Sequence, residues 1–309
     1  MTLERLGQLS NYSVASATGV LALAFVAYVA QWGFARSVAA PALVTAGGPS
    51  EPEEEPDRSD VAASIGFSLT SLATVLLWLG VLLRGLSAER VPWGNMYEFG
   101  SIGVAVALLA YVVLVRVWGI DWTGVLVTGI TTILLGATML FTYVPPGPLV
   151  PALDSYWLVI HVIGAIVAGA AFLVGAVASA LFLLKDRAER LTPDDERTGF
   201  LWRIPGSAAI DQVAYRVHAF AFPIWTFAAL IAGPIWAQAA WGRYWGWDPK
   251  EVWAFITWVF YAAYLHARAT AGWRGKAAAY LALAAFATFL FNYVGVNLFV
   301  GGLHSYAGV

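Results

Sequence analysis

YWLVIHVIGAIVAGAAFLVGAVASALFLL, residues 156–184, runs without a single Asp, Glu, Lys or Arg. An α-helix crossing the ~30 Å hydrocarbon core of a bilayer needs about 20 mostly apolar residues, so this stretch reads as a transmembrane span with length to spare. Seven more stretches of the same character lie along the chain, at residues 14–35, 61–83, 101–117, 124–143, 217–236, 251–268 and 276–299, separated by charged, Pro-bearing or Gly-bearing segments. The expected fold class is an all-α integral membrane protein of about eight transmembrane helices, a single polytopic domain over residues 1–309. Composition agrees. Of 309 residues, 60% are hydrophobic and 12% charged, with mean hydropathy +0.71. Soluble domains are about 25% charged, and this chain has too few polar groups to coat two globular surfaces.

Charge and cysteine count narrow the possible partners and chemistry. Net charge is −2, and no run of Lys or Arg is long enough to track a phosphate backbone, so nucleic acid is not an expected partner. The chain has no cysteine, hence no disulfide framework, thiolate metal site or cysteine nucleophile. Any thiol chemistry must use another molecule's sulfur. The first apolar stretch follows Glu4 and Arg5 and has no small-residue cleavage site close behind it, so it reads as a retained span and not a signal peptide.

Eight spans place both termini on one side of the membrane. Twelve of the seventeen Lys and Arg residues fall on one alternate set of loops, which by the positive-inside rule faces the cytoplasm. Both termini and segments 84–100, 144–155 and 237–250 are then external. The acidic, Pro-bearing sequence GGPSEPEEEPDRSD, residues 47–60, reads as a disordered cytoplasmic linker, and residues 185–205 as a charged cytoplasmic loop.

WGRYWGWDPKEVWAFITW, residues 241–258, holds five of the chain's fifteen tryptophans in eighteen positions. An interfacial aromatic belt accounts for Trp253 and Trp258 but poorly for Trp241, Trp245 and Trp247, which sit in a Gly-broken stretch ahead of the helix. A flat apolar ligand with a polar edge would use such a surface for stacking. Asp248, Pro249 and Glu251 also spell a helix start, with Asp at the N-cap, Pro at the first helical position and Glu at N3. Arg243 and Lys250 flank the segment and suit either an anionic ligand or that helix end.

Only four histidines occur, and ionisable groups in a span point to function. By depth, His161 and His304 lie near the outer face, beside the tryptophans. Haem is flat, apolar and edged by two propionates, and low-spin haem iron commonly takes two imidazoles, so one haem would fit this set. His266 lies seventeen residues beyond Pro249, about 25 Å down its helix, in the cytoplasmic leaflet. His218 is placed at the start of the preceding span at a similar depth. Two sites at opposite depths suggest transport from inside to outside.

These residues resemble a known family. The Trp segment is similar to the WWD motif of cytochrome c maturation proteins, and from RVPWGNMYEFG at Arg90 to the C-terminal GGLHSYAGV the chain resembles the CcsA/ResC component of the system II cytochrome c synthetase, called CcsB in some bacteria. The resemblance implies a plasma membrane protein that exports haem b and attaches it through its vinyl groups to CxxCH thiols of apocytochrome c. It implies a ResB-like membrane partner and a thiol-reducing pathway protein. It assigns Trp241, Trp245, Trp247, Asp248, Trp253 and Trp258 to haem binding, His161 and His304 to the outer iron, and His266 to an inner one whose second ligand belongs to the partner. His218 matches no family ligand and remains a packing residue or an alternative inner ligand. No residue is required as a general base. A non-catalytic haem carrier and a b-type electron-transfer cytochrome are the alternative readings.

Overall fold

A computed structural model describes residues 2–34, 57–148, 153, 155–270 and 272–304. Among these residues there is no strand, and eight long helices follow in order: α1 Leu3–Phe34, α2 Arg58–Ala88, α3 Met96–Trp118, α4 Gly124–Phe141, α5 Tyr156–Leu191, α6 Ser207–Trp241, α7 Pro249–Thr270 and α8 Lys276–Phe299. All but α7 are long and apolar enough to cross a bilayer. The chain is a multi-pass, all-helical membrane protein.

Helix ends differ from the apolar runs because polar residues outside the hydrocarbon still complete helical turns. α1 begins eleven residues before Val14. α5 continues through Lys185–Leu191, which shortens the expected loop at 185–205. Residues 47–56 of the expected linker lie outside the described residues, whereas Asp57 is the N-cap of α2, its carboxylate accepting from Ser59 N at 3.1 Å, and Arg58–Asp60 are helical. Local signals set other ends: Asn95 caps α3 by accepting from Glu98 N at 2.9 Å, Ser155 caps α5 through Trp157 N at 3.2 Å, and Gly242 closes α6 in the left-handed region at φ 72°.

α1 packs along α2, α3 and α4 join them, and α5 sits centrally against α3, α6 and α8. At one end of the bundle a buried charge cluster fixes the connection between α2 and α3. Glu98 receives Arg84 Nε at 3.0 Å, Arg90 Nη1 at 2.8 Å and Gly94 N at 2.8 Å, while Arg90 Nε donates to Gly147 O at 2.9 Å. A buried carboxylate so surrounded keeps its charge compensated, and removing it would strand two cations.

Two helices carry a π-turn, Ala228–Ala232 in α6 and Phe291–Gly295 in α8. Such turns are rare, and each adds a residue that rotates the helix face beyond it. Both turns border the same cavity.

Candidate haem-binding site

The C-terminal end of α6, the loop at residues 242–248, the first turn of α7 and the end of α8 line a cavity. A second lobe shares Phe99, His161, Trp236, Lys250, Tyr293 and His304 with it and extends toward Trp93 and Leu158. A third, apolar cavity abuts at Phe99, Ala165, Phe289 and Tyr293 and reaches among Gly100, Gly103 and Gly169.

Two histidines converge on the first two lobes. The π-turn in α6 leaves the Ala228 carbonyl accepting from Gly233 N five residues on, and the same oxygen accepts from His161 Nδ1 at 2.8 Å. That bond fixes the tautomer, so any metal bond from His161 must use Nε2. Gly233 makes room: a Cβ there would stand 3.1 Å from Nδ1. His304 Nδ1 donates to Asp248 Oδ1 at 2.8 Å, directing ligation by that ring to Nε2 as well. Trp236 lies nearly parallel to His161, at 6.0 Å and 10°, and 5.8 Å from His304. Trp241 meets His304 edge-on at 4.9 Å.

Asp248 does two jobs. Its Oδ1 caps α7 through Lys250 N at 3.1 Å, and its Oδ2 accepts from Leu303 N at 2.6 Å, tying the segment after α8 to the start of α7. Burial works to raise its pKa, but the hydrogen bonds from His304 and Leu303 outweigh it and hold the carboxyl at about 2. His304 lies below the usual imidazole range because burial disfavours its charged form more than Asp248 favours it. A neutral imidazole beside an ionised carboxylate is the ligating state, and since the depressed carboxyl takes up its proton only as pH falls toward 2, the tie persists through neutral pH.

Of the tryptophans expected to stack, Trp241 and Trp245 line the cavity. Trp247 is at positive φ, 58°, and 70% exposed, edge-on to Trp245 and outside the lining. Trp253 packs on Phe291, and Trp258 donates Nε1 to Thr226 Oγ1 at 3.0 Å. The lining also includes residues that the sequence did not single out: Phe99, Trp225, Trp236, Asn292 and Tyr293, together with Glu251, which had read only as a helix cap. The last two of the first five are presented by the π-turn in α8, for which the sequence offers no signal.

His266 is exposed on α7. His218 does not start a span: eleven residues of α6 precede it, and it is fully buried between Gly175 of α5 and the rings of Phe172, Tyr261 and Tyr264. A Cβ at Gly175 would fall 2.5–2.8 Å from its ring atoms. His266 and His218 therefore occupy different surroundings, one exposed on the bundle's surface and one packed inside it.

A family profile described as Cytochrome C assembly protein matches residues 75–304. The chain belongs to the cytochrome c assembly family. It is 34% identical over 275 residues to the cytochrome c biogenesis protein CcsA of Synechococcus sp. (strain CC9902), covering 80% of this chain and 88% of that one. With CcsA of Microcystis aeruginosa it shares 36% over 295 residues, 78% of this chain and 87% of the relative. Its fold matches the solved structure of the cytochrome c haem lyase CcmF with a TM-score of 0.59 at 17% identity, over 97% of this chain and 50% of that one. The chain thus spans about half the length of that structure. Membership of the cytochrome c assembly family places the chain in cytochrome c maturation and implies that it handles haem.

Replacing Asp248 by Asn should lower affinity for haem about 10–100-fold in a haem titration of the purified protein, the usual loss when a metal-ligating histidine's partner is altered. Asn keeps one acceptor oxygen for the cap of α7, so the helix should be retained while the charge beside His304 and the second acceptor that Leu303 uses are lost. Unchanged affinity would show that the carboxylate does not orient His304.

Proposed function

We propose that the chain carries haem b across the plasma membrane and, with a ResB-like membrane subunit, joins the haem vinyl groups to CxxCH thiols of apocytochrome c on the external face. The observation that carries this reading is the pair His161 and His304. Each has Nδ1 engaged by a fixed acceptor, and both line one cavity walled by Trp236, Trp241 and Trp245. Iron held between the two Nε2 atoms would set a flat macrocycle across the two shared lobes. Much of the rate then comes from holding vinyl carbon and thiol together, which converts a bimolecular addition into a nearly unimolecular one. The substrate's own histidine would displace one of the two ligands as the product leaves.

The exposure of His266 supports the partner. An iron ligand facing away from its own bundle finds its second ligand on another chain. The thiols need a separate reducing protein, because this chain has no cysteine to exchange with them.

Co-expression of the full chain with a ResB-like protein and a CxxCH apocytochrome, in a host without its own maturation system, should yield haem that stays on the reporter after denaturation. A reporter without covalent haem, beside a chain that retains haem, would overturn the lyase assignment.

Sidedness has its own check. The absence of native cysteine makes single-cysteine labelling clean. Trp247→Cys, at an exposed position, should react with an impermeant maleimide in intact cells, and Glu196→Cys, on the opposite connection, only after lysis. The reverse pattern would invert the topology.

A further inference from the structure

We propose that Glu251 is the proton-transfer residue of thioether formation, a role that rests on the function proposed above. Its carboxylate is anchored on one side only. Oε2 accepts from Gly246 N at 2.8 Å and Asp248 N at 3.0 Å, which completes the cap of α7. Oε1 is buried with no hydrogen-bond partner, in a side chain lining the same cavity as His161 and His304. The residue is 9% exposed. Capping needs one carboxylate oxygen, and leaving the other buried without a donor is unfavourable by the desolvation of a charged acceptor. A buried acceptor that the fold does not satisfy is suited to a donor brought by the substrate. In a cavity that receives a thiol, that donor is S–H.

The step balances without oxidant or reductant. The cysteine S–H proton passes to Glu251 Oε1, and sulfur bonds to the vinyl carbon next to the macrocycle. Glu251 returns that proton to the terminal carbon as the vinyl π pair moves there, so positive charge develops on the carbon next to the macrocycle, where the ring spreads it and sulfur closes the bond. One S–H bond and one π bond break, one S–C and one C–H bond form, and the carboxylate is regenerated. A free thiol with a pKa near 8.5 is mostly protonated at pH 7, so a base at this point accelerates attack.

The anchor keeps Oε1 in place during this exchange. The Gly246 amide that holds Oε2 belongs to the same turn as Trp245, whose indole lines the cavity. The Arg243 guanidinium packs over the same turn, where a Cβ at Gly246 would fall 2.2 Å from its central carbon and displace it. The charged and titratable groups that line the cavity with Glu251 are His161 of α5, Tyr244 of the loop, Lys250 of α7, Tyr293 of α8 and His304 after it, with Asp248 and Arg243 against the same turn.

Glu251→Gln tests the role, because Gln fills the N3 capping position as Glu does while losing the basic carboxylate. The full chain, co-purified with its ResB-like partner and loaded with haem, is mixed with a reduced CxxCH peptide. At pH 7 the variant should retain haem and its low-spin spectrum, and should accumulate a non-covalent haem–peptide complex from which acidified acetone extracts the haem. Covalent attachment should slow about a hundredfold and recover as pH approaches 9, where the thiol ionises unaided. Attachment at the unaltered rate at every pH would overturn the proposal, and so would loss of haem from the variant, which would make Glu251 a binding residue. If the unaltered protein itself retains haem yet forms no thioether, the lyase reading has failed, a result distinct from either of those.

Discussion

Replacing His304 or His161 by Ala strips haem from the outer cavity, lowering occupancy of the purified protein by more than the 10–100-fold expected for a second-sphere change. Residual haem in either variant shows a high-spin spectrum, because one axial position is vacated. Free imidazole at millimolar concentration restores part of the low-spin signal by filling that position. The effect follows from the geometry: His161 is held by a carbonyl that a π-turn presents, and His304 by a carboxylate, so neither ring has a neighbouring histidine to substitute for it. Unchanged occupancy and spectrum in both variants would remove the outer-ligand assignment.

The second large effect separates the two inner histidines. His266→Ala should abolish cytochrome c assembly, because haem passing from inside to outside loses its entry site and the outer site is starved. His218→Ala should leave assembly largely intact and lower thermal stability. The reason lies in packing: His218 fills a pocket bounded by Phe172, Tyr261 and Tyr264, and truncating a fully buried ring leaves a cavity. Assembly read by covalent haem on the reporter and stability read by thermal unfolding distinguish the outcomes. Loss of assembly in His218→Ala with tolerance of His266→Ala would overturn both the inner assignment and the route.

The two inner histidines also show where sequence reasoning reaches its limit. Hydropathy finds a helix by its apolar middle, and each of the eight apolar stretches falls on one of the eight long helices, seven of which are long and apolar enough to span a bilayer. It does not find where the helix starts. α6 begins at Ser207 among polar residues such as Asp211, Gln212 and Arg216, so His218 looked like an end position when it is an interior one. Asp211 pairs with Arg268 of α7 at 2.7 Å, which lets that polar turn remain helical and packed. Depth counted along α7 needs no such information, since Asp248 and Pro249 mark its start.

The site was legible in part for the same physical reason. Trp241, Trp245 and Asp248 carry a compositional signal, and His161 and His304 stand out because histidine is scarce. Asn292, Tyr293 and the Ala228 carbonyl reach the cavity through π-turns, which redirect a helix face without a distinctive residue pattern. Trp247 shows the converse. A positive φ turns the backbone there, and the indole is exposed although Trp245, two positions before it, lines the cavity. Glu251 was read as a cap, which it is, but the sequence could not show that only one of its oxygens is used.

With four histidines in the chain, the most direct measurement leaves only the outer two. The double variant His218→Ala/His266→Ala, purified in detergent and titrated with haemin, should bind one haem per chain and give the low-spin electron paramagnetic resonance signal of bis-imidazole ligation. A high-spin signal, or no stoichiometric binding, would contradict a haem held between His161 and His304.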